Sequence, residues 1–359
     1  MLNGTSANRR GRQRRFFVTL LTLLLAGVIW GTLLHARAQG AVRQPLQQPA
    51  QTTVVTKMRA AIFGVVEGLT EYLPISSTGH LQLTRHFMGL ENNKDEAEKT
   101  ALDAYEVVIQ AGAILAVLFL FFGRVRSVIE GLLGRNPAGL RLFANLLCGF
   151  LPAAVIGIIF EKAIKKYLFG MPWVVIAWFV GGIVILLMTR KFRPEDATKG
   201  KTLEELNWKE SLGIGSIQCL AMWPGVSRSL STIIGGLLVG LSPVAAVEFS
   251  FLLGFVTLSA ATLKDAKEYG GVMIHQLGGM ALIIGLVFAF LSAIIAVKWM
   301  VGYLNKHGLA IFGYYRIALA ILIGAMLLYE AHHVHHLRTS HLPVAHHQFV
   351  QVSPNPDRT

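Results

Sequence analysis

The sequence has little charge for its length of 359 residues. Only 15% of the residues are charged, against about 25% in an average soluble domain. The chain has only two cysteines, Cys148 and Cys219, and both lie in apolar stretches, so neither a disulfide framework nor a cysteine metal motif is expected. These shortages exclude a soluble globular enzyme and a disordered chain.

Long apolar runs take the place of the missing charge. Hydrophobic residues make up 53% of the chain, and a helix needs about 20 apolar residues to cross a bilayer. We therefore predict an all-α polytopic membrane protein, with a core over residues 57–330. Its six predicted spans lie near residues 102–123, 141–161, 171–190, 244–263, 277–299 and 309–330.

The two ends of the chain differ from this core. Residues 1–38 combine a basic cluster, an apolar run and an Ala-x-Ala site, which predicts either a secretory signal or an uncleaved membrane anchor. Residues 39–56 are predicted to be a linker, because they are rich in Gln, Pro and Ala. Residues 331–359 form a histidine-rich tail, which we expect to be disordered and extracytoplasmic, with a metal-binding tract as the alternative.

Two apolar segments of the core, residues 58–90 and 211–240, do not fit a simple span. Each is interrupted halfway by Pro, Gly, Ser and Thr. A backbone that breaks at membrane depth is tolerated only where it lines a cavity inside the protein. Both segments are therefore predicted to be re-entrant helical hairpins.

The two broken segments also resemble each other. Glu67 in the first corresponds to Gln218 in the second, and three predicted spans follow each segment. This pattern predicts two repeats, residues 57–190 and 211–330, each made of a re-entrant hairpin and three transmembrane helices. An odd number of spans makes the second repeat inverted, and such proteins bind their ligands near the midplane, at the repeat interface.

The net charge of +13 indicates orientation in the membrane rather than a partner such as nucleic acid. The basic residues lie in short loops, as the positive-inside rule describes. Loops 124–141 and 190–210 are therefore predicted to be cytoplasmic, and the acidic loop 91–103 to lie outside. The first hairpin then enters the bilayer from outside, and the second enters from the cytoplasm.

Ionisable residues at membrane depth are candidates for function. Glu67 and Glu71 of the first hairpin are four residues apart, so both carboxylates lie on one helix face. Two such carboxylates repel each other unless one holds a proton or a cation neutralises the pair. A new helix that begins after the break would offer backbone N–H groups to an anion. The polar side chains that follow the break are those of Ser76, Ser77, Thr78 and His80.

The second hairpin supplies the complement of these acidic groups. Arg228 carries a guanidinium that suits a phosphate group, and Ser227, Ser229 and Thr232 offer hydroxyl donors beside it. Together the two hairpins predict a phosphoryl-transfer site with a cation, a nucleophile, an acid/base group and a positive clamp. The alternative is a purely structural pair between one glutamate and Arg228.

Three further charges in the spans lie outside the hairpins. Glu248 and Arg316 belong to two different predicted spans, and we expect them to form a structural ion pair with each other. Glu106 lies near the start of the first span, so it is expected at the membrane interface.

The two hairpin motifs resemble those of one known family. Residues 67–80 read EGLTEYLPISSTGH, and residues 224–232 read PGVSRSLST. Both are similar to the signatures of the undecaprenyl-diphosphate phosphatases, the bacitracin-resistance family of bacterial membrane proteins. The resemblance covers about residues 57–330, and the N-terminal extension and the histidine-rich tail have no counterpart in it.

The resemblance implies hydrolysis of undecaprenyl diphosphate to undecaprenyl phosphate and phosphate, which recycles the lipid carrier for cell-wall synthesis. It also implies a divalent cation, Mg²⁺ or Ca²⁺, held by Glu67 and Glu71. The catalytic residues are then Ser77, His80, Glu71 and Arg228. The residues predicted to bind the substrate are Arg228, Ser76, Thr78, Ser227, Ser229 and Thr232.

The expected location is the bacterial inner (plasma) membrane, with the site facing the periplasm or the outside. The expected partners are the polyprenyl diphosphate lipid and the bilayer, without nucleic acid, and the oligomeric state is left open between a monomer and a homodimer. The attacking group is left open between Ser77 with His80 as its base, His80 itself, and a metal-bound water. The rival function is a transporter or flippase of polyprenyl phosphate.

Overall fold

The computed structural model describes residues 55–90, 95–189 and 199–340. These ranges are helical apart from the connecting turns and one isolated bridge between Lys201 and Leu241, which confirms the all-α prediction. The predictions for residues 1–38, for most of the 39–56 linker and for residues 341–359 lie outside the described residues.

The first half of the described chain begins with a broken helical hairpin. Its two helices are α1 (Lys57–Thr70) and α2 (Ser77–Phe87). The Thr56 side chain caps α1 by accepting a hydrogen bond from the Arg59 backbone N–H. The helices that follow are α3 (Glu96–Val108), α4 (Gln110–Leu120), α5 (Phe122–Leu132), α6 (Pro137–Leu168) and α7 (Met171–Thr189).

The second half begins in the same way. Helix α8 (Trp208–Gln218) opens with a capping box between Asn207 and Glu210, and a short 3₁₀ turn (Cys219–Met222) leads into the break. The helices that follow are α9 (Arg228–Leu238), α10 (Pro243–Leu277), α11 (Gly279–His307) and α12 (Ala310–Ser340).

Six helical segments in the described residues are long and apolar enough to cross a membrane. They confirm the six predicted spans, and the protein is a multi-pass membrane protein. The first span consists of α3 and α4 together. The six segments are Glu96–Leu120, Pro137–Phe160, Met171–Thr189, Pro243–Leu277, Gly279–Leu304 and Ala310–His333.

Several helices extend beyond the predicted spans, and α5, α10 and α12 differ most from the sequence prediction. Helix α5 occupies part of the predicted loop 124–141, and a hydrogen-bonded pair one turn apart, Arg126 and Glu130, supports it at 2.7 Å. Helix α10 continues to Leu277, and α12 continues to Ser340, into the predicted tail. Charged residues lower the hydropathy without breaking a helix, so a hydropathy pattern places these helix ends too early.

The two halves repeat the same helix boundaries. Helices α1 and α8 begin 151 residues apart (57 and 208), and helices α2 and α9 also begin 151 residues apart (77 and 228). Three spans follow each hairpin. This spacing agrees with a duplicated unit, and the inverted orientation of the second unit in the membrane stays a prediction.

The two halves also pack on each other reciprocally. Helix α1 packs on α11 and α8 packs on α6, while α3 and α4 pack on α10 and α7 packs on α12. Glycine makes the hairpin contacts close: a Cβ at Gly64 would overlap the backbone at Gly285, and a Cβ at Gly215 would overlap the backbone at Gly149. Each hairpin is therefore held by the second span of the other half.

The tips of the two hairpins meet at Arg316 of α12, whose side chain is fully buried. Its guanidinium donates five hydrogen bonds of 2.7–3.3 Å, to the carbonyl oxygens of Pro74, Ala177, Trp178, Gly225 and Val226. A Cβ at Gly181 of α7 would overlap this guanidinium. Arg316 therefore ties both breaks to α7 and α12.

The predicted ion pair between Glu248 and Arg316 is wrong. Glu248 instead accepts a hydrogen bond of 2.6 Å from Arg124 of α5. Arg124 also donates to Glu204 at 2.6 Å, and this hydrogen bond holds the pKa of Glu204 below its ordinary value. Glu106 is buried and lies 3.5 Å from the Arg85 guanidinium, and its position at the membrane interface stays a prediction.

We expect Arg316→Met to lower the free energy of unfolding by about 3 kcal/mol or more, because several buried carbonyl groups lose a donor at once. Arg124→Met is the matched control: it breaks the partly exposed ion pairs with Glu204 and Glu248 and should cost at most about 2 kcal/mol, since each such pair contributes about 1 kcal/mol or less. Denaturation in detergent measures both effects. Equal losses in the two variants would contradict a central role for Arg316.

Candidate active site

Helices α2 and α9 each begin after a serine in an unusual backbone conformation. Ser76 has φ 74° and Ser227 has φ 77°, and they are the only non-glycine residues with positive φ in the described ranges. Side chains rarely adopt this conformation because it costs about 1–3 kcal/mol. The two serines occupy matching positions of the two repeats, so the same strained turn directs both helix starts.

Local hydrogen bonds hold the strained turn of the first hairpin. The His80 ring donates from Nδ1 to the Ser76 carbonyl oxygen at 2.6 Å, and its Nε2 lies 2.7 Å from the Tyr315 hydroxyl. Trp178 packs against the His80 ring and donates from Nε1 to the Ile75 carbonyl oxygen at 3.1 Å. Both ring nitrogens of His80 are therefore engaged, and neither is hydrogen-bonded to Ser77.

The base nearest to Ser77 is Glu71. The Ser77 hydroxyl donates a short hydrogen bond to Glu71 Oε2, while Arg228 Nη2 donates to Glu71 Oε1 at 2.8 Å. All three side chains are largely or fully buried. One carboxylate thus joins the hydroxyl of the first hairpin to the guanidinium of the second.

Besides Glu71, three other residues contact the guanidinium of Arg228 or make room for it. Nη1 donates to the Ser250 carbonyl oxygen at 2.9 Å, and the guanidinium carbon lies 5.3 Å from the centre of the Tyr72 ring, in cation–π geometry. A Cβ at Gly254 of α10 would overlap the guanidinium. The absence of a side chain at Gly254 therefore makes room for Arg228.

Two predicted substrate-binding hydroxyls have structural partners. Ser229 Oγ donates to the Leu73 carbonyl oxygen at 2.9 Å and so links the two hairpins. Thr232 Oγ1 lies 2.6 Å from Ser250 Oγ and donates to the Arg228 carbonyl oxygen at 2.9 Å. These contacts stabilise the wall behind Arg228.

Glu67 is the remaining acid of the first hairpin. Its side chain is fully buried, and within the described residues neither carboxylate oxygen has a hydrogen-bond partner. No group of three His, Cys, Asp or Glu side chains close enough to hold a metal occurs in the described ranges. A pair of carboxylates completed by ligand or water oxygens still suits a hard cation such as Mg²⁺ or Ca²⁺, and the unpartnered oxygens of Glu67 fit this donor set.

An open cavity of about 220 Å³ lies between the hairpins. Six of the predicted site residues line it: Glu71, Ser76, Ser77, Thr78, Ser227 and Arg228. The other predicted residues do not: Glu67, His80, Ser229 and Thr232. Helices α2 and α9 both begin at this cavity, so their N-terminal backbone N–H groups favour an anion there.

Several polar residues around the site were missed by the sequence analysis. Gln110, Gln218 and Thr257 line the cavity, whereas Tyr72 and Tyr315 hold Arg228 and His80 from behind. Only Gln218 carried a signal in the sequence, because it matches Glu67 in the repeat. Gln110, Thr257 and Tyr315 lie in the spans, where a single polar residue does not stand out, and Tyr72 lies in the break of the first hairpin.

Known proteins are similar in sequence to most of the region just described. The family profile of bacitracin resistance protein BacA matches residues 60–322. The chain belongs to the BacA family. Both hairpins and all six spans fall wholly or largely within the matched region, so the cavity between the hairpins belongs to the part that the family shares.

Individual BacA-family relatives are similar over most of their length. Undecaprenyl-diphosphatase of Sorangium cellulosum is 44% identical over 267 residues, which are 74% of this chain and 84% of that protein. Undecaprenyl-diphosphatase 2 of Rhodospirillum rubrum and undecaprenyl-diphosphatase of Verminephrobacter eiseniae are each 42% identical, over 75% of this chain and 94% of their own length.

We expect Ser76→Gly to keep the free energy of unfolding within about 1 kcal/mol of the wild type, because glycine adopts positive φ without strain. Ser76→Val should lower it by about 2–3 kcal/mol, because a β-branched side chain clashes there. Ser216→Val, at an exposed position inside α8, is the control for β-branching and should cost only about 0.5 kcal/mol. Chemical denaturation in detergent measures all three, and a Ser76→Val loss no larger than that of Ser216→Val would contradict the strained turn.

Proposed function

We propose that this protein hydrolyses undecaprenyl diphosphate to undecaprenyl phosphate and inorganic phosphate, and so recycles the lipid carrier of cell-wall synthesis. The observation that carries the proposal is the contact of Ser77 and Arg228 with one carboxylate, that of Glu71, at the wall of the cavity. A hydroxyl, its base and a cationic clamp are the groups that phosphoryl transfer requires. The names of the curated relatives support the same substrate.

Ser77 is the nucleophile in this proposal, and Glu71 is its base. Glu71 takes the hydroxyl proton that it already accepts in a hydrogen bond, and Ser77 Oγ forms a bond to the terminal phosphorus. The bond from that phosphorus to the bridging oxygen breaks, and its electron pair stays on the lipid monophosphate. Water then cleaves the phosphoserine to release phosphate. The alternative is direct attack by water, with Glu71 as the base and Ser77 as an orienting donor.

Arg228 stabilises the charge that develops on the terminal phosphoryl group. Its guanidinium is bound to Glu71, and a phosphate oxygen offers the same kind of charged acceptor. The first turns of α2 and α9 add backbone donors on the same cavity. His80 acts from behind the site in this proposal, because its hydrogen bond to Ser76 holds the turn that presents Ser77.

Glu67 and Glu71 would hold the divalent cation, Mg²⁺ or Ca²⁺. When bound, such a cation neutralises the carboxylates and the phosphate oxygens. The support in the protein is the full burial of Glu67 without a hydrogen-bond partner among the described residues, since a buried carboxylate with no donor is unfavourable.

The protein is proposed to lie in the bacterial inner membrane, with the cavity open to the periplasm. The support is the distribution of loop charge, basic in residues 124–141 and 190–210 and acidic in residues 91–103. A homodimer stays a prediction that a molecular-mass measurement in detergent tests.

We expect the purified protein in detergent to release phosphate from undecaprenyl diphosphate, and a chelator to abolish the release until Mg²⁺ or Ca²⁺ is restored. Detergent removes the two sides of a membrane, so a flippase that is not a hydrolase would release nothing. Ser77→Ala and Arg228→Ala should each lose about 10³-fold in turnover.

Two outcomes would contradict parts of this scheme. Full activity of Ser77→Ala would exclude the phosphoserine route and favour direct attack by water. Phosphate release that continues in an excess of chelator would exclude a role for the cation. The absence of release under every condition would contradict the proposed hydrolase function.

We expect Gly254→Ala to lower turnover by about 100-fold or more, because the new methyl group displaces the Arg228 guanidinium. The fold should persist, since the atoms that must move belong to the end of a long side chain. Gly270→Ala is the matched control, because it lies on the same helix and its Cβ would meet nothing within 4 Å. The measurement is phosphate release by the two variants. Equal activity of Gly254→Ala and Gly270→Ala would contradict the role of Gly254.

A further inference from the structure

Gln218, the last residue of α8, is a buried amide without a complete set of partners. Its side chain is 2% exposed, and within the described residues its Nε2 has no hydrogen-bond partner. Its Oε1 lies 3.5 Å from Thr257 Oγ1, whose proton is donated to the Leu253 carbonyl oxygen at 2.9 Å, and the other end of the amide has two N–H donors. Buried donors nearly always have an acceptor, and Gln218 lines the cavity, where a ligand would supply one.

Besides Ser76, Thr78 and Ser227, the polar lining of the cavity contains two sets of residues that differ in charge. Glu71, Ser77 and Arg228 form the hydrogen-bonded set that includes the charges. Gln218, Thr257 and Gln110 form a second set from three different helices, and all three are uncharged.

Apolar lining residues lie close in the chain to two members of the uncharged set. Ala221 and Met222 follow Gln218 by one turn of chain, and Leu258 follows Thr257 directly, and all three line the cavity. A lipid diphosphate needs an apolar surface beside its inner phosphoryl group, because that group is attached to the hydrocarbon chain and the terminal one is the most distant from it. The charged set then suits the terminal group, and the uncharged set suits the inner group.

We infer that Gln218 donates a hydrogen bond from Nε2 to the phosphoryl group that stays on the lipid. This inference rests on the proposed hydrolase function and assigns the part of the site that binds the retained half of the substrate. An uncharged amide binds an anion less tightly than a guanidinium does. Gln218 therefore positions the substrate while allowing the monophosphate product to leave.

The test is Gln218→Met, which keeps the side-chain length and removes both N–H donors. We expect KM for undecaprenyl diphosphate to rise about ten-fold and the inhibition constant of undecaprenyl phosphate to rise by a similar factor. The turnover number and the inhibition constant of inorganic phosphate should change less than about three-fold. Gln276→Met, on α10 and outside the cavity lining, is the matched control and should leave all four constants unchanged.

Gln218→Glu gives a second measurement if the methionine variant fails to fold. It has the same size, but it places a carboxylate opposite a phosphate, so KM should rise further than in the methionine variant. Unchanged constants for undecaprenyl diphosphate and its product would overturn the inference. A rise confined to the inhibition constant of inorganic phosphate would also overturn it, because Gln218 would then contact the terminal group.

Failure of the proposed function gives a different result. In that case the wild type itself releases no phosphate. The affinity for undecaprenyl phosphate can still be measured in the wild type and in Gln218→Met, from the thermal stability of the solubilised protein at increasing lipid concentration. A weaker affinity in the variant would support the contact, and an equal affinity would overturn it.

Discussion

The structure depends on how the broken backbone of the two hairpins is satisfied inside the membrane domain. A helix that ends there leaves carbonyl groups without helical donors, and water is not available to replace them. Arg316 provides the donors, because one guanidinium binds carbonyl groups of both hairpin tips and of α7. Arg316 therefore fixes the spacing of the tips, together with the hydrogen bond from Ser229 to Leu73. The contact of Ser77 and Arg228 with Glu71 requires that spacing, so the geometry of the site follows from it.

The two buried arginines are used in different ways. Arg316 is surrounded by neutral carbonyl oxygens that cannot leave, so its role is fixed. Arg228 is bound to the carboxylate of Glu71 at the cavity wall, and a phosphate can compete for it. A glycine makes room for each guanidinium, Gly181 for Arg316 and Gly254 for Arg228. The protein thus holds one cation as a structural group and keeps the other accessible for chemistry.

Much of the fold could be predicted because apolar runs of sufficient length and helix breaks are visible in any single sequence. The association of Glu71, Ser77 and Arg228 could also be predicted, since both motifs lie at breaks. The partners of Arg316 could not be predicted. An argument from sequence pairs a charged residue with another charged residue, whereas the acceptors of Arg316 are backbone carbonyl groups, which leave no signal in the sequence. The contact of His80 with Tyr315 joins residues far apart in the chain, and only the packing of α12 brings them together.

The reciprocal packing of the two halves has a consequence for how the protein is made. Among the described helices α1 is synthesised first, yet the surface that it packs on belongs to α11. Chains grow from the N-terminus at about 5–20 residues per second, so the first hairpin waits many seconds in the membrane for its partner. Arg316 arrives later still, on the last of the described helices. An incomplete chain released from the ribosome before α12 therefore lacks the side chain that binds the carbonyl groups of both hairpin tips.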